Sequence, residues 1–332
     1  MSRSQNLVTA TRWGTATLLA WGYFGIALSL GKHDARSILF KEAFEIGGKQ
    51  EFIRVEEITC DSKGDIFVTD SYQYSIKKFD KRGSPLQVFG KRGHNRGEFK
   101  SFPYKITCFA DTLALVEVGS STIHFFTPEF RMIDEISVGG PIVDIASNTL
   151  GEIYACMIPV SHRTEDIVVL YDKSGNILSR IPLNRARGEP AFDMIHLTVD
   201  SSNNLVIAYR YVNNITIYDD KHRINSTFRI VDLPDESPSE KSKYEELGSL
   251  PHGNLIQDIA VDRRGNIFVL AGDYSKNPNR DVYVYDYNGN LLTIFTLPEK
   301  SGILFIDPHG FMYTREKKRS VVRKYQLQYM NF

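Results

Sequence analysis

Six stretches of the chain place one residue ahead of an isoleucine or leucine in similar apolar segments: Glu57-Ile58, Lys105-Ile106, Asp144-Ile145, His196-Leu197, Asp258-Ile259 and Ile303-Leu304. Aligned on the turn residue four positions downstream, the first column is ionisable in five of six and the second is uniformly apolar. Neighbouring residues of a strand point to opposite faces, so the contrast sets a register, with charge on one face and packing on the other. Three carboxylates and an imidazole are groups that calcium or a transition metal would accept. The same groups suit a small polar ligand or a protein partner, or they pair with one another around a water-filled opening, with Lys105 balancing an adjacent acid. Glu57, Lys105, Asp144, His196 and Asp258 are therefore the candidate ligand-binding residues. No residue is assigned a catalytic role, and a divalent cation is the one cofactor considered.

What must position them is a repeat. The stretch from Cys60, "CDSKGDIFVTDSYQYSIKKFDKRGSPLQVFG", returns two hundred residues later as "VDRRGNIFVLAGDYSKNPNRDVYVYDYNGNLLTIF". The unit recurs about six times: a short apolar strand, Asp-x-x-Gly, a strand, a polar loop, a strand ending in aromatic-Asp, a turn and a last strand. Asp61 and Gly64, Asn148 and Gly151, Asp262 and Gly265, and Asp307 and Gly310 open four of the copies. Asn203 stands at the glycine position of another, as Asn tolerates a left-handed backbone. The second copy, "CFADTLALVEV", keeps the strand and shortens the turn. Phe79-Asp80 with Gly83, Tyr171-Asp172 with Gly175 and Tyr285-Asp286 with Gly289 repeat the second half, and Tyr218-Asp219 has His222 for the glycine. In each such turn Asp bonds to backbone two residues on and Gly supplies positive φ, which assigns these Asp residues to structure rather than to a metal.

Four short strands per unit predict the blade of a β-propeller. The sixth unit ends soon after Tyr325 with no room for a fourth strand, while "SILFKEAFEIG" at 37–47 is a strand without a unit. Placing it in the last blade closes the ring and removes two sheet edges. The fold expected is all-β, a six-bladed β-propeller over 37–332 closed by an N-terminal strand. The polar stretch 233–253, with Pro234, Pro238 and Pro251 and a candidate helical turn at "KYEEL", reads as a solvated loop, or else as a lid or partner-binding loop.

The linker "VFGKRGHNRGEFKSFPYKIT", with Gly90, Gly93, Gly97-Glu98-Phe99 and Pro103, resembles the NHL-repeat linker between blades, and equally that of an exported bacterial family of six-bladed propellers. The resemblance spans about 37–327. It implies the fold and leaves function open, since similar proteins include scaffolds, ligand binders, lactonases and an amidating lyase. The lactonases use channel-mouth carboxylates, an Asn ligand and a Glu-Gly-Pro opening; here Ile58 and Thr59 follow Glu57, so that match fails. The amidating lyase uses a metal and several His, whereas only His196 falls on a first strand here. Neither Gly-x-Ser-x-Gly nor a phosphate loop is present.

Bulk composition narrows the classes further. Lys and Arg number 40 and Asp and Glu 40, which argues against a nucleic-acid partner. Cys60, Cys108 and Cys156 show no zinc spacing and are expected as free, mostly buried thiols. Residues 13–30, "WGTATLLAWGYFGIALSL", carry no charge and follow Arg3 and Arg12. They predict an N-terminal hydrophobic helix outside the repeat: a signal anchor with residues 1–12 as a cytoplasmic tail, or a signal peptide cleaved near Gly31. Either way the propeller is exported, at the cytoplasmic membrane or secreted. The function expected is a non-catalytic binding or protein-interaction propeller engaging a partner or polar ligand at its channel mouth. The alternative is a metal-dependent hydrolase or lyase, lactonase-like, using the channel-mouth carboxylates and His196.

Overall fold

The computed structural model describes residues 24–26, 37–47, 51–158, 167–183, 189–243, 248–316, 318 and 320–330. The Asp-x-x-Gly turns act as their sequence implies. Asp61 Oδ1 accepts the N–H of Lys63 at 3.0 Å and of Asp65 at 2.9 Å, and Asp286 Oδ1 accepts those of Asn288 and Asn290 at 2.9 Å. Where the glycine is replaced, Asn203 (φ 66°) and His222 (φ 60°) adopt the left-handed conformation themselves. In the shortened second turn Ala110 and Asp111 do so, with φ 42° and 56°.

These turns separate antiparallel strands grouped in six sheets about a central channel. The first blade is Val55–Cys60, Ile66–Asp70, Ser75–Phe79 and Pro85–Phe89. The next four have their innermost strands at Pro103–Phe109, Ile142–Ser147, Ile195–Val199 and Ile256–Val261, with three further strands each. Middle strands such as Ile66–Asp70 and Leu205–Tyr209 are buried throughout, because a neighbouring blade covers each face; the outer strand Pro85–Phe89 is largely exposed. The core is thus a set of inter-blade layers rather than one centre, which is why the middle strands read as unbroken apolar runs.

The last blade closes the ring. Ser301–Ile306, Phe311–Glu316 and Val321–Met330 come from the C-terminal end, and Ser37–Gly47 pairs antiparallel with Val321–Met330, from Ser37 opposite Met330 to Gly47 opposite Val321. Phe40 packs edge-on against Tyr325 at 5.5 Å and reaches Phe295 of the fifth blade at 4.9 Å. A fifth strand, Phe24–Ile26, pairs outside it, with Phe24 opposite Lys41.

That strand corrects the expected N-terminal helix. Residues 24–26 run extended, because the free edge of Ser37–Gly47 offers unpaired backbone groups to a neighbouring segment. The rest of 13–30 lies outside the described residues. Among the described residues no helix is long and apolar enough to cross a membrane, and the helical segment present is the 3-10 turn Pro190–Asp193. Within 233–253 the chain forms a small hairpin, Ser239–Lys241 with Ser249–Pro251, tied to Glu189 by the Ser249 N–H at 3.2 Å; the "KYEEL" turn falls on residues mostly outside the described set. All three cysteines are free, with Cys60 and Cys156 buried and Cys108 partly so.

Deleting residues 1–47 removes the buried Ile38, Phe40 and Ile46 together with a whole ladder. Each such side chain contributes about 1.5–3 kcal/mol by burial. The truncated chain is expected to unfold or aggregate, while deletion of 1–34 leaves a folded monomer. A stable monomer lacking 1–47, seen by light scattering and circular dichroism, would contradict the closure.

Candidate functional site at the channel mouth

A bulge in the innermost strand sets up four of the five ring positions. Pairing with the second strand slips between Val55 and Glu57, Pro103 and Lys105, Ile142 and Asp144, and Ile256 and Asp258. A bulge bends the strand and re-aims the side chain that follows. His196 reaches the ring from a regular strand. The next residue in each case, Ile58, Ile106, Ile145, Leu197, Ile259 and Leu304, is buried between blades.

The five side chains converge into a chain of contacts around the axis. Lys105 Nζ lies 2.6 Å from Glu57 Oε2 and 3.2 Å from Asp144 Oδ1, joining the first three blades. Asp144 Oδ1 accepts the N–H of Ile145 and Oδ2 that of Leu197 on the fourth blade, both at 3.0 Å. Asp258 does the same from the fifth blade to the sixth, with Ile259 N–H at 2.9 Å and Leu304 N–H at 2.7 Å. His196 Nδ1 stands 3.7 Å from Asp258 Oδ1 and 4.0 Å from Asp144 Oδ2. Arg210 Nε donates to His196 Nε2 at 3.4 Å, which assigns the imidazole proton to Nδ1.

The sixth blade has Ile303 in the ring column, and Arg315 from its second strand supplies the charge. Arg315 runs past Gly302, where a Cβ would meet its Nη2 at 2.2 Å. It then donates through Nη1 to the Val55 carbonyl of the first blade and lies 3.8 Å from Glu56. The alignment of first strands cannot show Arg315 or Arg210, since both belong to the second-strand side. A glycine within an inner strand was the one available signal, because it marks close approach by another group.

Burial, not solvation, dominates the ring. Lys105 is 9% exposed and Asp144 and His196 5% each, while Glu57 and Asp258 are partly exposed, so the charges pair with one another in a largely desolvated cluster. Burial raises the Glu57 carboxyl above its ordinary range, with Lys105 offsetting part of the effect. It pushes Asp258 up to about 7, again against Lys105 and with the Glu57 charge adding to the rise. Burial favours the neutral amine of Lys105, but the Asp144 and Glu57 charges together outweigh it and hold the ammonium well above its usual range. His196 is held neutral by burial and by the Arg210 and Lys105 charges.

A divalent cation does not fit this arrangement. The Lys105 ammonium already lies between two carboxylates, and both Asp144 oxygens and both Asp258 oxygens accept peptide N–H groups. Among the described residues no group of three or more His, Cys, Asp or Glu is disposed to hold a metal. The ring opens on a channel cavity of about 230 Å³ lined by Glu57, Lys105, Asp144 and Asp258 and, further along, by Thr59, Thr107, Ser147 and Thr198.

Asp258 carries a pH signature. Its folded value near 7 exceeds the ordinary 3.8, so the folded state binds the extra proton between pH 4 and 7 and stability falls as pH rises through that window. The slope is at most about 1.4 kcal/mol per pH unit for one group. His196, shifted down, acts oppositely, losing stability as pH falls below its ordinary 6.5. Asp258→Asn is expected to remove the decline between pH 4 and 7; a variant with an unchanged pH slope would contradict the assignment.

No protein-family profile matches the chain, and no curated protein sequence does. Solved structures share its architecture. Virginiamycin B lyase from Staphylococcus aureus aligns with TM-score 0.54 and 11% identity over 91% of this chain and 94% of that one. A streptogramin B lyase aligns at 0.55 and 12% over 92% and 98%. A gluconolactonase from Xanthomonas campestris aligns at 0.57 and 12% over 92% and 95%. At these identities the likeness is one of fold, the six-bladed β-propeller.

Proposed function

We propose that this chain is a non-catalytic binding propeller of NHL-like type that engages a polar ligand or partner protein at the channel mouth. The observation that carries the reading is the Lys105 ammonium, 2.6 and 3.2 Å from Glu57 and Asp144: the cation that metal-dependent chemistry would need is replaced by a fixed side chain. The ring is then a rigid charged floor. Glu57 and Asp258 present its more accessible carboxylates, each with a side chain 14% exposed. Beside them Arg54 stacks on the exposed Tyr72 at 5.2 Å, and Tyr72 and Tyr74 pack on Phe102 at 5.6 and 5.0 Å, a pre-ordered aromatic and arginine shelf of the kind that anchors partners. The linker supports the NHL-like reading: Gly90 backs onto the Phe99 ring, and Glu98 accepts the Asn95 N–H at 3.0 Å and pairs with Lys91 at 3.1 Å.

One observation favours a second reading. Asp258, with its carboxyl near 7, sits beside the neutral imidazole of His196, a pair suited to general acid–base work without a metal. The structural neighbours that are a lyase and a gluconolactonase share the architecture on which such chemistry would be built. Purified full chain assayed with gluconolactone is expected to show no turnover with or without added Mg2+, and its Tm is expected to be unchanged by EDTA. Metal-dependent turnover would overturn the binding reading; metal-independent turnover abolished by Asp258→Asn would establish the second.

Export is proposed from 13–30 alone, as a signal anchor or a segment cleaved near Gly31. A membrane helix there and the strand at Phe24–Ile26 exclude each other, so anchoring requires that short strand to be released. Protease added to spheroplasts should reach the propeller. Protection equal to that of a cytoplasmic marker would refute export.

A further inference from the structure

A cavity larger than the one at the channel lies elsewhere. It is a groove of about 700 Å³ on the second blade, walled on one side by the linker that follows the first blade. Phe99, Phe126 and Met132 are among its apolar lining, the two Phe buried and Met132 partly exposed. On the blade side, Glu117 on the second strand, His124 on the third and Glu135 on the outer strand form a row. His124 Nε2 is 3.5 Å from Glu117 Oε1, and its Nδ1 is 3.3 Å from Glu135 Oε2. Glu117 is buried and anchored, its other oxygen accepting the Ser101 N–H at 2.5 Å. Asp134, the preceding residue on the outer strand, pairs opposite Phe125 and accepts the Glu135 N–H at 2.8 Å.

The opposite wall is basic. His94, Arg96 and Lys100 are exposed along the linker, whose single acid, Glu98, is taken by Lys91. Among the described residues no ion pair crosses the groove: the pairs lie within the linker or within the blade. Opposite charges attract and long side chains close small gaps, so two walls of opposite sign that stay apart define a space complementary to a molecule carrying both charges. The volume falls in the range of about 300–1,000 Å³ usual for small-molecule sites.

We propose that this groove binds a short peptide with free amino and carboxyl termini and apolar side chains. The ammonium would sit against Glu135, whose carboxylate is held from behind by His124, itself held by Glu117. The carboxylate would meet Arg96 and Lys100, and an apolar side chain would cover Met132. The site is separate from the channel mouth and does not depend on the function proposed there.

The test is calorimetric titration of the full chain with leucyl-phenylalanine, its N-acetyl form and its C-terminal amide. The free dipeptide is expected to bind saturably, and either cap to weaken it by about tenfold or more, as expected for loss of a charge-assisted contact. Glu135→Gln should weaken the free dipeptide and leave the N-acetyl form unaffected; Arg96→Gln should do the same with respect to the amide. Both residues are exposed, so both variants should fold. Absence of saturable binding at millimolar dipeptide, equal binding of all three forms, or loss of binding in Arg210→Gln at the channel mouth would overturn the proposal.

Discussion

One buried ammonium holds three blades in register. Lys105 bridges Glu57 and Asp144, and the Asp144 carboxylate carries the linkage on to the fourth blade by accepting the Leu197 N–H. Apolar packing between blades is strong but tolerates sliding; a charge that must meet two carboxylates does not. Desolvating such a cluster costs several kcal/mol per ion, so its net stabilisation is small, while loss of one partner costs about 3–5 kcal/mol. The ring therefore acts on specificity more than on stability: a blade out of register strands a buried charge. Arg315 completes the circuit at the seam where the sixth blade meets the first, the place where the chain's two ends must be joined.

This inward use of charge shapes what the mouth offers a ligand. Groups already satisfied by peptide N–H and lysine present a fixed field rather than open coordination positions. A ligand bound as proposed would gain from that field without the cost of organising it. The shelf of Arg54, Tyr72, Tyr74 and Phe102 lies on the rim, while the second-blade groove combines separated charges with an apolar lining. The features on which the two proposals rest thus lie around the first two blades.

The sequence showed most of the fold because the repeat is written in local chemistry. Asp61, Asp262 and Asp286 bond to backbone within four residues, so their turns need no tertiary context. The closing strand was legible through an arithmetic gap, a unit lacking its last strand. The ring column was legible because Glu57 and Ile58 alternate on one strand. Arg315 and Arg210 were not, since they enter from second strands and their convergence depends on twist and on Gly302. The desolvation of the ring was equally hidden: alternation tells which face a residue takes, not how much water reaches it. At Phe24–Ile26 hydropathy suggested a helix, and the structure shows an edge strand, because an apolar run is compatible with either and a neighbouring free edge decides.

The claim that the ring staples the blades is tested most directly by a double-mutant cycle on Lys105→Met and Asp144→Asn, read by denaturant unfolding. The account predicts that the two changes together cost less than their sum, with a coupling energy of about 2 kcal/mol or more. Additivity within about 0.5 kcal/mol would show that the contact does no such work, and would contradict it.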